Sequence, residues 1–171
     1  FVEELRHGAT QAAAFRDIFA TADHAEAWGI DCVWLGEIHF TPSRSIISAS
    51  LQVASAIAAR TRRLRVGTAV QVLPLNHPLR IAEEIAMLDV ASGGRIVSGF
   101  VRGIGAEYYS TAVNPTHSRE RFYEAHDLIV RAWTEPGPFA FEGKHYRVRY
   151  ANIWPRPLQQ PHPPVWLPSQ G

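Results

Sequence analysis

The amino-acid sequence predicts an α/β fold built on a parallel sheet, and three observations carry that prediction. Apolar, strand-like runs begin near residues 31, 64 and 96, about 32 residues apart, with a helical segment between each pair. Successive strands are therefore joined by helical crossovers, the connection that parallel strands require. The runs themselves show little apolar–polar alternation, as strands buried on both faces should. A doubly wound sheet and a (β/α)8 barrel both satisfy this pattern, but a complete barrel takes about 250 residues and eight strands. With 171 residues, a helix at its start, a strand at its end and no initial methionine, the chain reads as an interior portion of a (β/α)8 TIM barrel. It is read as a single domain over residues 1–171.

Residues 12–28, AAAFRDIFATADHAEAW, set Phe15, Ile18, Phe19, Ala22, Ala25 and Trp28 at three- and four-residue steps, an amphipathic helix that Gly29 ends. IDCVWLG supplies the first strand. Helical spacing returns in SIISASLQVASAIAAR, through Ile46, Ile47, Leu51, Ala54 and Ile57. RLRVGTAVQVLP is the second strand, and Pro78 then stands where a first helical turn tolerates proline, with Gly93 and Gly94 closing that helix. RIVSGFV makes the third strand. In THSRERFYEAHDLIVRAW, Phe122, His126, Ile129 and Trp133 share a helical stripe that Pro136 terminates. FAFEGKHYRVRY alternates about Glu142 and Gly143 as a hairpin does, and WPRPLQQPHPP is too rich in proline for a helix or an inner strand. Residues of about 136–164 thus form an insertion before a last strand at VWLPS.

Composition narrows the function classes. Hydrophobic residues make up 46% of the chain and the net charge is +1, which suits a packed domain and gives neither a nucleic-acid groove nor a basic membrane tail. Cys32 is the only cysteine, so no internal disulfide or cysteine-based zinc set is available, and the cytoplasm is the expected location. No secretory leader is recognised at the N-terminus and no segment approaches the ~20 apolar residues of a membrane span.

Chemistry is expected at the C-terminal ends of the strands. Glu37 and His39, in WLGEIHF, lie at i and i+2 and so point the same way from an extended backbone. The imidazole is a candidate acid or base, with Glu37 as its tuning partner. The bland alternative pairs Glu37 with an arginine inside the barrel and leaves His39 on the rim. A metal would need further ligands, for which His77 is the one candidate and is better placed at the start of a helix, so no metal is expected. GFVRGIG, residues 99–105, offers glycines about Arg102 that let a backbone and a guanidinium approach a phosphate. Its spacing is not that of the dinucleotide fingerprint, and no helix is expected to begin directly after it. Thr68, the one hydroxyl in the apolar strand VGTAVQVLP, bonds to backbone by default. The aromatic residues, Trp34, Tyr108, Tyr109, Phe122 and Trp133 among them, are read as core.

Taken together, GIDCVWLGEIHF, the long block RLRVGTAVQVLPLNHPLRIAEEIAMLDVASGGRIVSGFVRG, and PRPLQQPHPPVW resemble the bacterial luciferase-like flavin-dependent monooxygenases, from about residue 12 to 171. The resemblance implies a barrel that binds reduced FMN at its strand ends, with one strand before Phe1 and roughly three βα units after Gly171. It implies that Arg102 meets the flavin phosphate and Val101 the ring. Thr68, Ala69 and Val70 match a strand end beside the isoalloxazine where a non-prolyl cis peptide, here Ala69–Val70, is implied. Ser169, Gln170 and Gly171 match the start of the phosphate cradle, and Phe40 and Ile104 are the implied substrate contacts. His39 and Glu37 would be catalytic.

The activity implied is oxidation of a small organic substrate by O2 through a flavin hydroperoxide, with reduced flavin from a separate reductase and a homo- or heterodimeric assembly. One departure stands out. The luciferase catalytic subunit reads Glu-His-His-Phe where this chain has Glu37, Ile38, His39 and Phe40, so the histidine usually given the role of base is isoleucine. Two alternatives follow from the same resemblance: hydride transfer with the deazaflavin coenzyme F420, or a non-catalytic partner subunit, against which the presence of Arg102 argues.

Overall fold

The computed structural model describes residues 10–41 and 43–168. Thr10 opens helix α1 (Gln11–Ala27), its Oγ1 accepting the Ala13 N–H at 3.2 Å, the usual way to satisfy one of the free donors of a first turn. Ala14, Ile18, Ala22 and Ala25 form its buried stripe. Trp28 was expected on that stripe but is exposed, because it lies past the last turn and its ring stacks on His24 instead.

Strand β1 (Cys32–Gly36) follows. The next helix was expected from residue 45, yet α2 begins later (Ser50–Arg60). Residues 45–49 are committed elsewhere: the Ile47 carbonyl accepts the Ile38 N–H at 3.0 Å and the Ile47 side chain is buried. The second strand is also divided, into β2 (Arg65–Ala69) and β3 (Gln71–Val72). After α3 (Pro78–Ser92), which Gly93 closes, comes β4 (Ile96–Val101). A short helix, α4 (Gly105–Ser110), corrects the expectation that none begins after GFVRGIG; Glu107 in its first turn accepts the Ile104 N–H at 2.9 Å. Next is α5 (Ser118–Thr134), then the antiparallel hairpin β5 (Phe139–Glu142) and β6 (Arg147–Ala151), and finally β7 (Val165–Trp166).

All pairings in the main sheet are parallel: β1 with β2, β2 and β3 with β4, and β4 with β7. Its order is that of a βαβ progression, in which each new strand is laid beside the previous one. Helices α2, α3 and α5 cover it, burying Leu35, Ile57, Ile85, Phe100, Leu128 and Trp133. The Trp133 indole N–H donates to the Ala82 carbonyl at 3.0 Å, so the largest core side chain is buried without an orphaned donor. Of the aromatics read as core, two depart: Tyr109 is 89% exposed, and Trp34 is half-buried with its ring against that of exposed Trp166.

Two polar clamps hold the N-terminal ends of the strands. The Glu26 carboxylate accepts the N–H groups of Arg62, Arg63 and Leu64, tying α1 to the turn before β2. The Arg95 guanidinium donates to the carbonyls of Ala58, Leu64 and Ser92, where α2 and α3 end, as a cation at helix C-termini should. The proline-rich segment is pinned by Asp89, fully buried, which accepts the N–H and the side-chain amide of Gln159. No described helix is long and apolar enough to cross a membrane.

Candidate functional site

At the opposite end of the sheet, the chain leaves β1 at Gly36 and Glu37 turns back toward the first turn of α2. Its Oε2 accepts the Ser50 N–H (2.8 Å), the Ser50 hydroxyl (2.7 Å) and the Gln71 side-chain amide (2.8 Å), while Oε1 accepts His39 Nε2–H at 3.1 Å. Gln71 also donates to Ser50 Oγ at 2.6 Å. The partner foreseen for Glu37 in the bland reading, an arginine, is absent from this network. Helix α2 has no side-chain cap from its own N-cap residue, Ala49. Glu37 fills that role from just beyond β1, so one carboxylate both starts a helix and orients an imidazole. Because an ionised carboxylate only accepts, His39 Nε2 carries the proton and Nδ1 is the ring nitrogen outside the network. The Glu37 side chain is 6% exposed and that of His39 29%, so the pair runs from core to cavity.

Between β2 and β3 the backbone departs from regular pairing. Gly67 is opposite Val97 and Gln71 opposite Phe100, so three residues, 68–70, face two, 98–99. This is a β-bulge, a device that re-aims backbone near active sites. The Ala69–Val70 peptide within it is cis, as the resemblance implied. Thr68 mends the ladder: its Oγ1 accepts the Gly99 N–H at 3.0 Å. A side chain at Gly99 would lie 1.9 Å from the Thr68 carbonyl oxygen, so only glycine admits the bulge.

These features meet in a cavity of about 280 Å³ at the C-terminal ends of β1, β3 and β4, lined by Glu37, His39, Ala69, Val70, Val101 and Ile104 with their neighbours. Six residues singled out from the sequence are thus brought together. Ile38 also lines it. Thr68, by contrast, is buried and bonded to Gly99; its hydroxyl supports the cavity wall from behind. Phe40 is exposed and outside the lining, because the backbone at that residue takes a positive φ of 58° and turns its ring toward that of His39. Arg102 is exposed beside the lining residues Val101 and Gly103, with no carboxylate partner among the described residues. Its carbonyl accepts the Tyr108 hydroxyl. Burial pushes the Tyr108 phenol above its ordinary pKa, so it remains a donor that fixes the loop at neutral pH. Ser169, Gln170 and Gly171 lie outside the described residues, and His77 stands at the start of α3. Sequence reasoning missed Ser50 and Gln71, and read Gly99, in GFVRGIG, as aiding approach to a phosphate where it in fact admits the bulge. Only Gly99, a glycine inside an apolar strand, carried a signal of its own, that of a bulge or a close backbone approach.

Residues 2–171 match the family model described as luciferase-like monooxygenase. The chain belongs to that family. It is 28% identical over 172 residues to the oxygenase component of the flavin-dependent trigonelline monooxygenase of Acinetobacter baylyi, covering 99% of this chain and 47% of that protein. It is 36% identical over 159 residues to an F420-dependent glucose-6-phosphate dehydrogenase of Kineococcus radiotolerans, covering 88% and 45%. Among solved structures, the monooxygenase RslO1 of Streptomyces bottropensis superposes with a TM-score of 0.90 at 29% identity, over 96% of this chain and 50% of that one. The chain therefore spans about half the length of the relatives it matches, and the parallel sheet of β1, β2, β3, β4 and β7 is an incomplete portion of the (β/α)8 barrel.

Proposed function

We propose that this chain forms the flavin-binding half of an FMN-dependent monooxygenase that oxidises a small organic substrate with O2. The observation that carries the reading is a cavity in which a carboxylate-held imidazole faces the bulge at Ala69–Val70 and the apolar wall of Val70, Val101 and Ile104. A flat tricyclic ring fits such a wall, and the cavity's volume sits just under the ~300–1,000 Å³ of complete ligand pockets. Reduced FMN, supplied by a separate reductase, would provide oxygen activation there.

This chain's own residues would do the rest. Arg102 would bind the phosphate from the rim, and the apolar wall would keep water from the reacting atoms. His39, with Nε2–H fixed on Glu37, would exchange a proton through Nδ1. Glu37 is a positioning residue, because its own oxygens are taken up by Ser50, Gln71 and His39. His39→Leu should leave flavin affinity within about twofold while slowing substrate oxidation by ~10²–10⁴-fold, the usual scale of general acid–base catalysis. Unchanged turnover in that variant would remove His39 from the proton path.

A second reading is hydride transfer with coenzyme F420, favoured by the 36% identity to an F420-dependent relative. The same cavity would take a deazaflavin ring, and cofactor titration under anaerobic conditions separates the two. The third reading, a non-catalytic subunit of a homo- or heterodimer, predicts no flavin affinity and leaves the exposed guanidinium of Arg102 without a purpose.

A further inference from the structure

Away from the cavity, the first turn of α5 carries a second cluster of chemistry-bearing side chains. Glu124 holds the tip of the β5–β6 hairpin: its carboxylate accepts the N–H groups of Lys144 (3.0 Å), His145 (2.9 Å) and Tyr146 (2.6 Å). A Cβ at Gly143 would fall 1.9 Å from Glu124 Oε1, so this residue's lack of a side chain permits the clamp. The clamp fixes the backbone of His145 and brings its ring against Glu120 and His117. His145 Nε2 lies 2.9 Å and His117 Nδ1 3.6 Å from Glu120 Oε2. All three donor atoms fall within 4.8 Å of one another.

We propose that His117, Glu120 and His145 form a site for one divalent transition-metal ion of the zinc, nickel or copper class, which fastens the hairpin to α5. Two imidazoles and one carboxylate are the donor set of that class, whereas calcium and magnesium take oxygen ligands. Ligands about 2.0–2.1 Å from a tetrahedral ion stand roughly 3.3 Å apart. The observed separations bracket that spacing, so small rotations of two exposed side chains complete the set and water takes the fourth position. The Lys144 ammonium, 2.7 Å from Glu120 Oε2, is the resident counter-cation. It is exposed on a flexible stem and withdraws as the metal enters. The role is structural, because the cluster is separate from the residues that line the cavity.

Calorimetric titration of metal-free protein with zinc chloride tests this. One equivalent should bind with micromolar or tighter affinity and raise the unfolding temperature. His145→Ala and His117→Ala should each weaken binding by at least about tenfold, and Lys144→Ala, which keeps all three ligands, should bind zinc at least as tightly as the parent. If His145→Ala fails to fold, the more exposed His117→Ala carries the test. Absence of binding heat, affinity unaffected by the histidine substitutions, or loss of binding in Lys144→Ala would overturn the site.

Discussion

Glu37 supports two jobs with one carboxylate, and the effects of replacing it should separate accordingly. Glu37→Ala leaves the Ser50 and Gln71 donors without an acceptor in a buried setting, at roughly 1–3 kcal/mol for each donor left unsatisfied. A drop in unfolding free energy of that order, measured by denaturant titration, should accompany the loss of oriented His39. Gln71 and Ser50 were not legible as site residues, because nothing in their local spacing reports a carboxylate arriving from another strand. Ile38 was legible as a departure from the luciferases, and its side chain does line the cavity. Ile38→His should therefore place a second imidazole against the bound ring and change the pH profile of turnover; an unaltered profile would put residue 38 outside the proton path. Gly99→Ala forces a methyl group into the Thr68 carbonyl, and both stability and flavin affinity should fall together.

At the scale of elements, stability devices and site devices lie at opposite ends of the sheet. Arg95→Met removes the donor to the carbonyls of Ala58, Leu64 and Ser92, and should cost roughly 1–3 kcal/mol while leaving the flavin dissociation constant unchanged. Glu26 gives a pH dependence. Burial opposes its charge, but the N–H groups of Arg62, Leu64 and Arg63 outweigh it and hold the carboxyl below the ordinary 4.5. A lowered folded-state pKa contributes stability that is present above the unfolded value and lost as pH falls through the folded one. Melting curves should therefore show parent and Glu26→Gln converging below pH 4.5, from a gap at neutral pH. Helix periodicity and proline or glycine stops exposed most elements in advance. Two features the sequence hid were set by long-range bonds, the late start of α2 by Glu37 and the break at residues 68–70 by the Thr68–Gly99 exchange, whereas α4 rests on a local bond from the Ile104 N–H to the Glu107 carboxylate.

For the whole molecule, the recurrence of strand and crossover helix was enough to read a parallel α/β sheet and a portion of a barrel, because burial on both faces writes itself into each strand's composition. The candidate cavity lies where the sequence pointed, at the C-terminal strand ends, and six of the residues singled out line it. Beyond the Glu37–His39 pair its wiring was not legible, since hydrogen bonds between residues 13 to 34 positions apart leave no periodic trace. The central claim is that these strand ends form the ring-binding wall for reduced FMN. Anaerobic fluorescence titration of the whole protein with reduced FMN and, separately, with reduced F420 tests it most directly. Micromolar affinity for reduced FMN, weakened at least about tenfold by Arg102→Ala, is the predicted result; binding of reduced F420 alone, or of neither, would contradict it.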